Sequence, residues 1–290
     1  MSALAYYPGC SSHASSREYE LSCRALFPYL GLAPVEVTDW SCCGASAAHG
    51  VSDELAVALP LRNLAIAEAM AATAIMTPCA ACYDRLRHAA AAVAGNAPLK
   101  ARMTELVGVA FRGTVAVHHL VDLLHDQVGA DRIRARTTRS LAGLKVACYY
   151  GCLLVRPPGG AVVDQRPEDP CAMDELAAAV GAEPVSWPHK TECCGAAAVI
   201  PHPESVVRLV GRLAGAARLA GAHCLVAACP LCHGNLDMRQ EEAVRQGQLA
   251  APLPVLYLSQ LLGLAVGLAP EVLGLGLHFV DTAPVLAAIS

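Results

Sequence analysis

Residues 75–82 read Ile75-Met76-Thr77-Pro78-Cys79-Ala80-Ala81-Cys82, and residues 226–232 read Val226-Ala227-Ala228-Cys229-Pro230-Leu231-Cys232. A short apolar run leads into Cys-x-x-Cys and then into a helical pattern, twice in the same order. Each pair closes a longer motif. In the first copy 31 residues separate Cys10 from Cys42-Cys43-Gly44, and 35 separate Cys43 from Cys79. In the second, 40 residues separate Cys152 from Cys193-Cys194-Gly195, and 34 separate Cys194 from Cys229. Ten of the 14 cysteines thus fall into two matched sets of five, an order that points to two inorganic centres.

The duplication extends beyond the cysteines. Tyr6-Tyr7-Pro8-Gly9-Cys10 is echoed by Tyr149-Tyr150-Gly151-Cys152, and Val115 to Leu124 matches the spacing of Pro254 to Leu264. Two domains are expected, 1–135 and 140–290. The basic run Arg132, Arg134, Arg136 and Arg139 falls at their junction and reads as a solvated connector.

Within each copy, short apolar runs (3–7, 35–38 and 74–76; 145–150, 183–187 and 224–228) alternate with longer helical patterns. Ser15-x-x-Glu18 has the form of a capping box ahead of Tyr19 to Leu30, which Gly31 stops. Asp169-Pro170 opens a helix and Gly181 closes it. The expected fold is α/β: two tandem, pseudo-symmetric domains, each a small parallel sheet flanked by helices. The cysteines follow the strands, so both centres are expected at the carboxyl ends of the strands, where ligands collect. Helix N-termini there would face an anionic cluster.

Composition narrows the chemistry. The net charge is −4, and no Lys/Arg cluster forms the basic face that nucleic acid requires. The most apolar stretch, Val255 to Ala269, is too short for a transmembrane helix of about 20 residues. The first residues carry no basic, apolar leader, so a cytoplasmic protein with reduced thiols is expected rather than a disulfide framework. A structural zinc takes four ligands, as does a cubane cluster; five cysteines per set, two of them adjacent, favour a larger or unusual iron–sulfur assembly. Zinc in one or both sites and a Cys-x-x-Cys thiol relay remain alternatives. A chain of 55% hydrophobic and 16% charged residues, without Gly-x-Gly-x-x-Gly or a Walker loop, fits a component of a heteromeric complex that buries part of its surface against partners.

The double motif, with Tyr149-Tyr150-Gly151-Cys152, Trp187-Pro188-His189-Lys190-Thr191-Glu192-Cys193-Cys194-Gly195 and Leu256-Tyr257-Leu258-Ser259-Gln260-Leu261-Leu262-Gly263, resembles the paired CCG domains of the heterodisulfide reductase B-subunit family over nearly the whole chain. The Ala-rich, Lys-poor composition resembles a bacterial rather than a methanogen member. The resemblance implies two noncubane clusters of 4Fe–4S type, one held by Cys10, Cys42, Cys43, Cys79 and Cys82, the other by Cys152, Cys193, Cys194, Cys229 and Cys232. It also implies two partners, a C-type iron–sulfur subunit and an A-type flavin subunit, and a disulfide or persulfide substrate that takes one electron from each centre. An electron-transfer module in another oxidoreductase and a zinc-stabilised scaffold are the alternative functions. One departure is Leu153, where many family members carry His after the cysteine matching Cys152; methanogen-type substrate handling is not implied there.

The remaining candidates have plain readings. Cys148 and Cys224 sit in apolar strand runs as core thiols, Cys23 lies outside the pattern, and Cys171 marks a helix start. His118-His119 reads as a strand-to-helix junction. His13, His49, His189 and His233 lie near cluster cysteines in sequence and are candidate donors to sulfur. Arg156-Pro157-Pro158-Gly159-Gly160 reads as a loop, a candidate lid over the second centre.

Overall fold

The structure is a computed structural model that describes residues 4–45, 47–156, 164 and 166–289. Its first half runs β1 (Leu4–Tyr6), α1 (Arg17–Leu26), β2 (Val35–Glu36), α2 (Asp53–Ala69), β3 (Ala74–Thr77), α3 (Ala80–Val93), β4 (Ala116–His119) and α4 (Ala130–Arg136). Its second half runs β5 (Lys145–Tyr149), α5 (Ala172–Ala179), β6 (Glu183–Pro184), α6 (Pro203–Leu219), β7 (Cys224–Ala227), α7 (Pro230–Met238), β8 (Val255–Tyr257) and α8 (Leu258–Ala265).

Each half builds one four-stranded sheet, ordered β2-β1-β3-β4 and β6-β5-β7-β8, with every pairing parallel. Matching registers, Ala5↔Ile75 and Met76↔His118 in one and Cys148↔Val226 and Val226↔Leu256 in the other, make the sheets counterparts. Parallel strands need crossovers, and the helices supply them. Strand order reverses direction between β1 and β3, and between β5 and β7, which creates a crevice at the carboxyl edge of each sheet.

The central strands are buried, and Cys148, Cys224 and Cys23 are core thiols, each 0% exposed. The edge strands are shorter than the apolar runs. In β6, Pro184 has no N–H to donate, and its neighbours make the bonds to β5: the Glu183 N–H donates to Leu144 O at 2.8 Å and the Val185 N–H to Val146 O at 2.9 Å. The capping box is not formed. Ser16 is the N-cap, without a side-chain hydrogen bond, and Glu18 instead accepts from the Tyr257 hydroxyl of the other half at 3.3 Å.

The two halves exchange helices at their junction. α1 packs along α8, where the hydroxyls of Ser22 and Ser259 lie 2.7 Å apart, and α5 packs against α4 and the π-helical segment Leu123–Val128. The basic run is a solvated connector, its four arginines exposed, and it is also ordered: α4 buries Ile133, and the N–H groups of Thr138 and Arg139 both donate to Ala265 O at 2.9 Å. Pro157, Pro158, Gly159 and Gly160 of the expected lid lie outside the described residues. Among the described residues, no helix is long and apolar enough to cross a membrane.

Candidate metal centre

The segment after β1 carries Cys10, Cys79 is the N-cap of α3 and Cys82 sits in its first turn, all beside the crevice of the first sheet; the segment beyond β2 adds Cys42 and Cys43. The sulfurs of Cys43 and Cys82 lie 3.4 Å apart, and those of Cys10 and Cys42 3.7 Å. In the second half the sulfurs of Cys194 and Cys232 are 3.5 Å apart. All the cysteines are free thiols. The N–H of Gly44 points at Cys42 Sγ from 3.4 Å and that of Gly195 at Cys193 Sγ from 3.3 Å, so the backbone stabilises negative charge on corresponding sulfurs.

Backbone shape is adapted to sulfur. Gly9 (φ 77°) and Gly151 (φ 67°) precede the first cysteine of each set, and a Cβ on them would stand 3.0 Å from Cys82 Sγ and 3.2 Å from Cys232 Sγ. Only glycine meets both the positive φ and the close approach. Tyr7 and Tyr149 hold the Cys-Cys segments, donating to Ser41 O at 2.8 Å and Glu192 O at 2.6 Å.

Electrostatics within each set is shared. S–H donation from Cys42, and then from Cys82, drives the Cys43 thiol down towards thiolate; Cys152 and then Cys194 do the same for Cys193. Cys79 and Cys229 interact with each other across the halves, so the sets meet through their Cys-x-x-Cys motifs. The rings of Tyr19, Tyr257 and His233 form a buried stack, with centroids 3.8 and 3.9 Å apart. Burial, then Cys23, Tyr257, Cys229 and Cys79, push the Tyr19 phenol up, and its hydroxyl has no hydrogen-bond partner.

A cavity of about 340 Å³ is lined by Cys152, Cys193, Cys194, Cys229 and Cys232, the whole second set. It crosses the junction between halves: Asp84 and Arg85 of α3 and His49 form part of its wall, facing Leu153 and Leu231. Arg85 is held by Asp84, with Nε and Nη2 donating to Oδ2 at 2.9 and 2.6 Å. Five converging thiols, glycines that yield to sulfur, an orphan buried hydroxyl and a cysteine-lined cavity fit a sulfur-rich metal cluster better than a four-coordinate ion.

The candidate histidines separate. His49 lines the cavity. His13 is exposed beside Trp40, and His189 Nδ1 lies 2.6 Å from Glu192. His233 points away from sulfur, with Nε2 3.0 Å from Val255 O. His119 is a satisfied core imidazole between Pro78 O and Val121 N, both at 3.1 Å, and His118 pairs with Asp122. Cys171 caps α5 beside Glu175, at 2.9 Å, away from both sets. Arg85 and the cross-junction wall carry no sequence signal, because they belong to the other copy.

Fold and site together define a tandem cysteine-rich α/β protein with two corresponding five-cysteine sets. The chain matches the cysteine-rich (CCG) domain over residues 4–87 and 146–237. It belongs to the family of tandem CCG proteins that form the B subunit of heterodisulfide reductase. It is 31% identical to the B subunit of the ferredoxin:CoB-CoM heterodisulfide reductase of Methanosarcina mazei, over 100% of this chain and 97% of that one. It is also 33% identical to the 8-methylmenaquinol:fumarate reductase membrane anchor subunit of Wolinella succinogenes, over 96% and 97%. A crystal structure of a hypothetical protein from Helicobacter pylori shares the fold, with a TM-score of 0.77 at 14% identity, covering 97% of this chain and 52% of that one.

Proposed function

We propose that the chain is the catalytic subunit of a heterodisulfide-reductase-like complex, acting on a disulfide or persulfide. In this reading Cys10, Cys42, Cys43, Cys79 and Cys82 hold one noncubane iron–sulfur cluster, and Cys152, Cys193, Cys194, Cys229 and Cys232 hold another. The observation that carries it is the cavity lined by one whole cysteine set and closed by the opposite half. Clusters bound there supply one-electron transfer.

The chain's own residues shape the rest. Ala80, Ala81, Leu153 and Leu231 give the cavity apolar walls that exclude water. Arg85, oriented by Asp84, offers its remaining N–H donors to an anionic group on the substrate. The packing of α1 on α8 keeps the two halves, and with them the two sets, adjacent. Domains 1–135 and 140–290, a C-type iron–sulfur partner, an A-type flavin partner and a cytoplasmic location complete the proposal.

The likeness to the fumarate reductase anchor subunit favours a second reading, a non-catalytic component that relays electrons from a quinol. The test uses anaerobic, dithionite-reduced protein. Small organic disulfides reoxidising it, with release of thiols and a changed electron paramagnetic resonance spectrum, support the catalytic reading. Reoxidation by a menaquinone analogue but by no disulfide overturns it in favour of relay.

A further inference from the structure

Cys194 is held by a residue that the cysteine pattern does not contain. Asn235 stands on α7 three residues beyond Cys232, so the helix that carries the end of the Cys-x-x-Cys motif also carries this amide. Its Nδ2 lies 3.2 Å from Cys194 O and 3.8 Å from Cys194 Sγ. A backbone carbonyl only accepts, so the side chain must turn its amide nitrogen, and not its oxygen, towards Cys194. With two hydrogens, that NH2 group serves both acceptors. Asn235 and Cys194 are 7% and 2% exposed, so water is largely kept from competing for the contact.

The neighbouring sulfur, Cys193 Sγ, has the N–H of Gly195 at 3.3 Å, so with Asn235 both sulfurs of the adjacent pair face an N–H donor. The first set is built differently. Three residues beyond Cys82 stands Arg85, whose guanidinium is bound to Asp84, and Cys43 has the Tyr7 hydroxyl beside it instead of an amide. Asn235 therefore serves the set whose five cysteines line the cavity.

We propose that Asn235 is a positioning residue for the second centre: its amide fixes Cys194 and raises the reduction potential of the cluster held there. The inference rests on the reading that Cys152, Cys193, Cys194, Cys229 and Cys232 bind an iron–sulfur cluster. An added electron increases the negative charge on the ligand sulfurs, and an N–H aimed at sulfur stabilises that charge more in the reduced state than in the oxidised one. Loss of the donor therefore lowers the potential. Because this is the centre that opens into the cavity, Asn235 draws electrons towards the place where a substrate meets them.

The test is a redox titration followed by electron paramagnetic resonance on the full-length protein, purified anaerobically, with Asn235→Leu and Asn235→Asp beside the wild type. Both replacements are close to asparagine in size and neither offers an N–H. The second-set signal is the one missing from Cys194→Ala. Both variants are expected to keep wild-type iron and sulfide, while the second-set midpoint falls and the first-set midpoint stays. In Asn235→Leu the ratio of reduced to oxidised second centre at the wild-type midpoint drops about tenfold, equivalent to about 59 mV for a one-electron couple. The drop is larger in Asn235→Asp, which places a carboxylate beside sulfur. If burial of that carboxylate prevents folding, Asn235→Leu decides the matter. An unmoved second-set midpoint at full iron content, even with a lowered melting temperature, overturns the inference and leaves Asn235 a pin on Cys194 O. Equal shifts of both signals, or loss of the second-set iron from both variants, overturn it as well. A wild-type protein without iron at the second set overturns the inference together with the reading on which it rests.

Discussion

At the scale of single residues, the demand of sulfur on its surroundings is clearest at Gly151. Its left-handed backbone strains any side chain, and a Cβ would stand 3.2 Å from Cys232 Sγ, so that the sulfur would have to give by a few tenths of an ångström. Gly151→Ala is expected to cost about 1–2 kcal/mol from backbone strain alone and to lower iron and sulfide content at the second site, while the first site keeps its share. Metal analysis and thermal unfolding check this; full metal content in the variant would contradict it. Leu153 on the cavity wall makes a second case. Leu153→His leaves iron content unchanged and alters disulfide-dependent reoxidation, and a change in neither property would remove the residue from the cavity's function. The two cysteine sets themselves are legible in sequence because one residue type recurs at repeated spacing, and the structure brings sulfurs of each set within 3.4–3.7 Å of one another. Glu18 reads in sequence as part of a helix cap, since its true partners, Tyr257 and His233, lie in the other half of the chain.

At the scale of elements, the turns after the central strands do the positioning, and buried polar groups hold the surrounding segments. Glu68 ends α2 and is 3% exposed. It accepts from the N–H groups of Arg112, Gly113 and Thr114 at 2.6, 2.7 and 2.5 Å, fixing the chain that enters β4. Burial pushes its carboxyl up, but these donors and the Thr114 hydroxyl outweigh burial and hold it below the usual carboxylate range. Because the folded value is depressed, the stabilisation is complete above the unfolded value of about 4.3 and is lost as pH falls through the lower folded value. Glu68→Gln is expected to cost about 2 kcal/mol at neutral pH, and the gap between variant and wild-type urea midpoints narrows below about pH 4. A gap that is constant with pH would contradict the ionic account. Strand and helix alternation is legible from apolar runs and stops. The short edge strands are not, because each pairs with a single neighbour over two residues, a limit that hydrophobicity does not report.

At the scale of the whole molecule, duplication produces more than two copies. α1 lies on α8 and α5 on α4, so each half supplies packing for the other, and the cavity at the second set has a wall from the first. Tyr257, fully buried between Tyr19 and His233, is central to that junction. Tyr257→Ala is expected to destabilise the protein by about 3–5 kcal/mol, the cost of truncating a large buried aromatic. In single-tryptophan variants, unfolding followed at Trp40 and at Trp187 is expected to coincide; separate transitions would show halves that fold alone. Such cross-half contacts are not legible in a repeat read copy by copy, since they join residues as distant in the chain as Ser22 and Ser259. The central claim is that each five-cysteine set holds an iron–sulfur cluster, and its most direct test is iron, zinc and acid-labile sulfide analysis with electron paramagnetic resonance on anaerobically purified protein. Several irons and sulfides per chain, with part lost in Cys43→Ala and a different part in Cys194→Ala, is the result predicted; two sulfur-ligated zinc ions and no labile sulfide would contradict it.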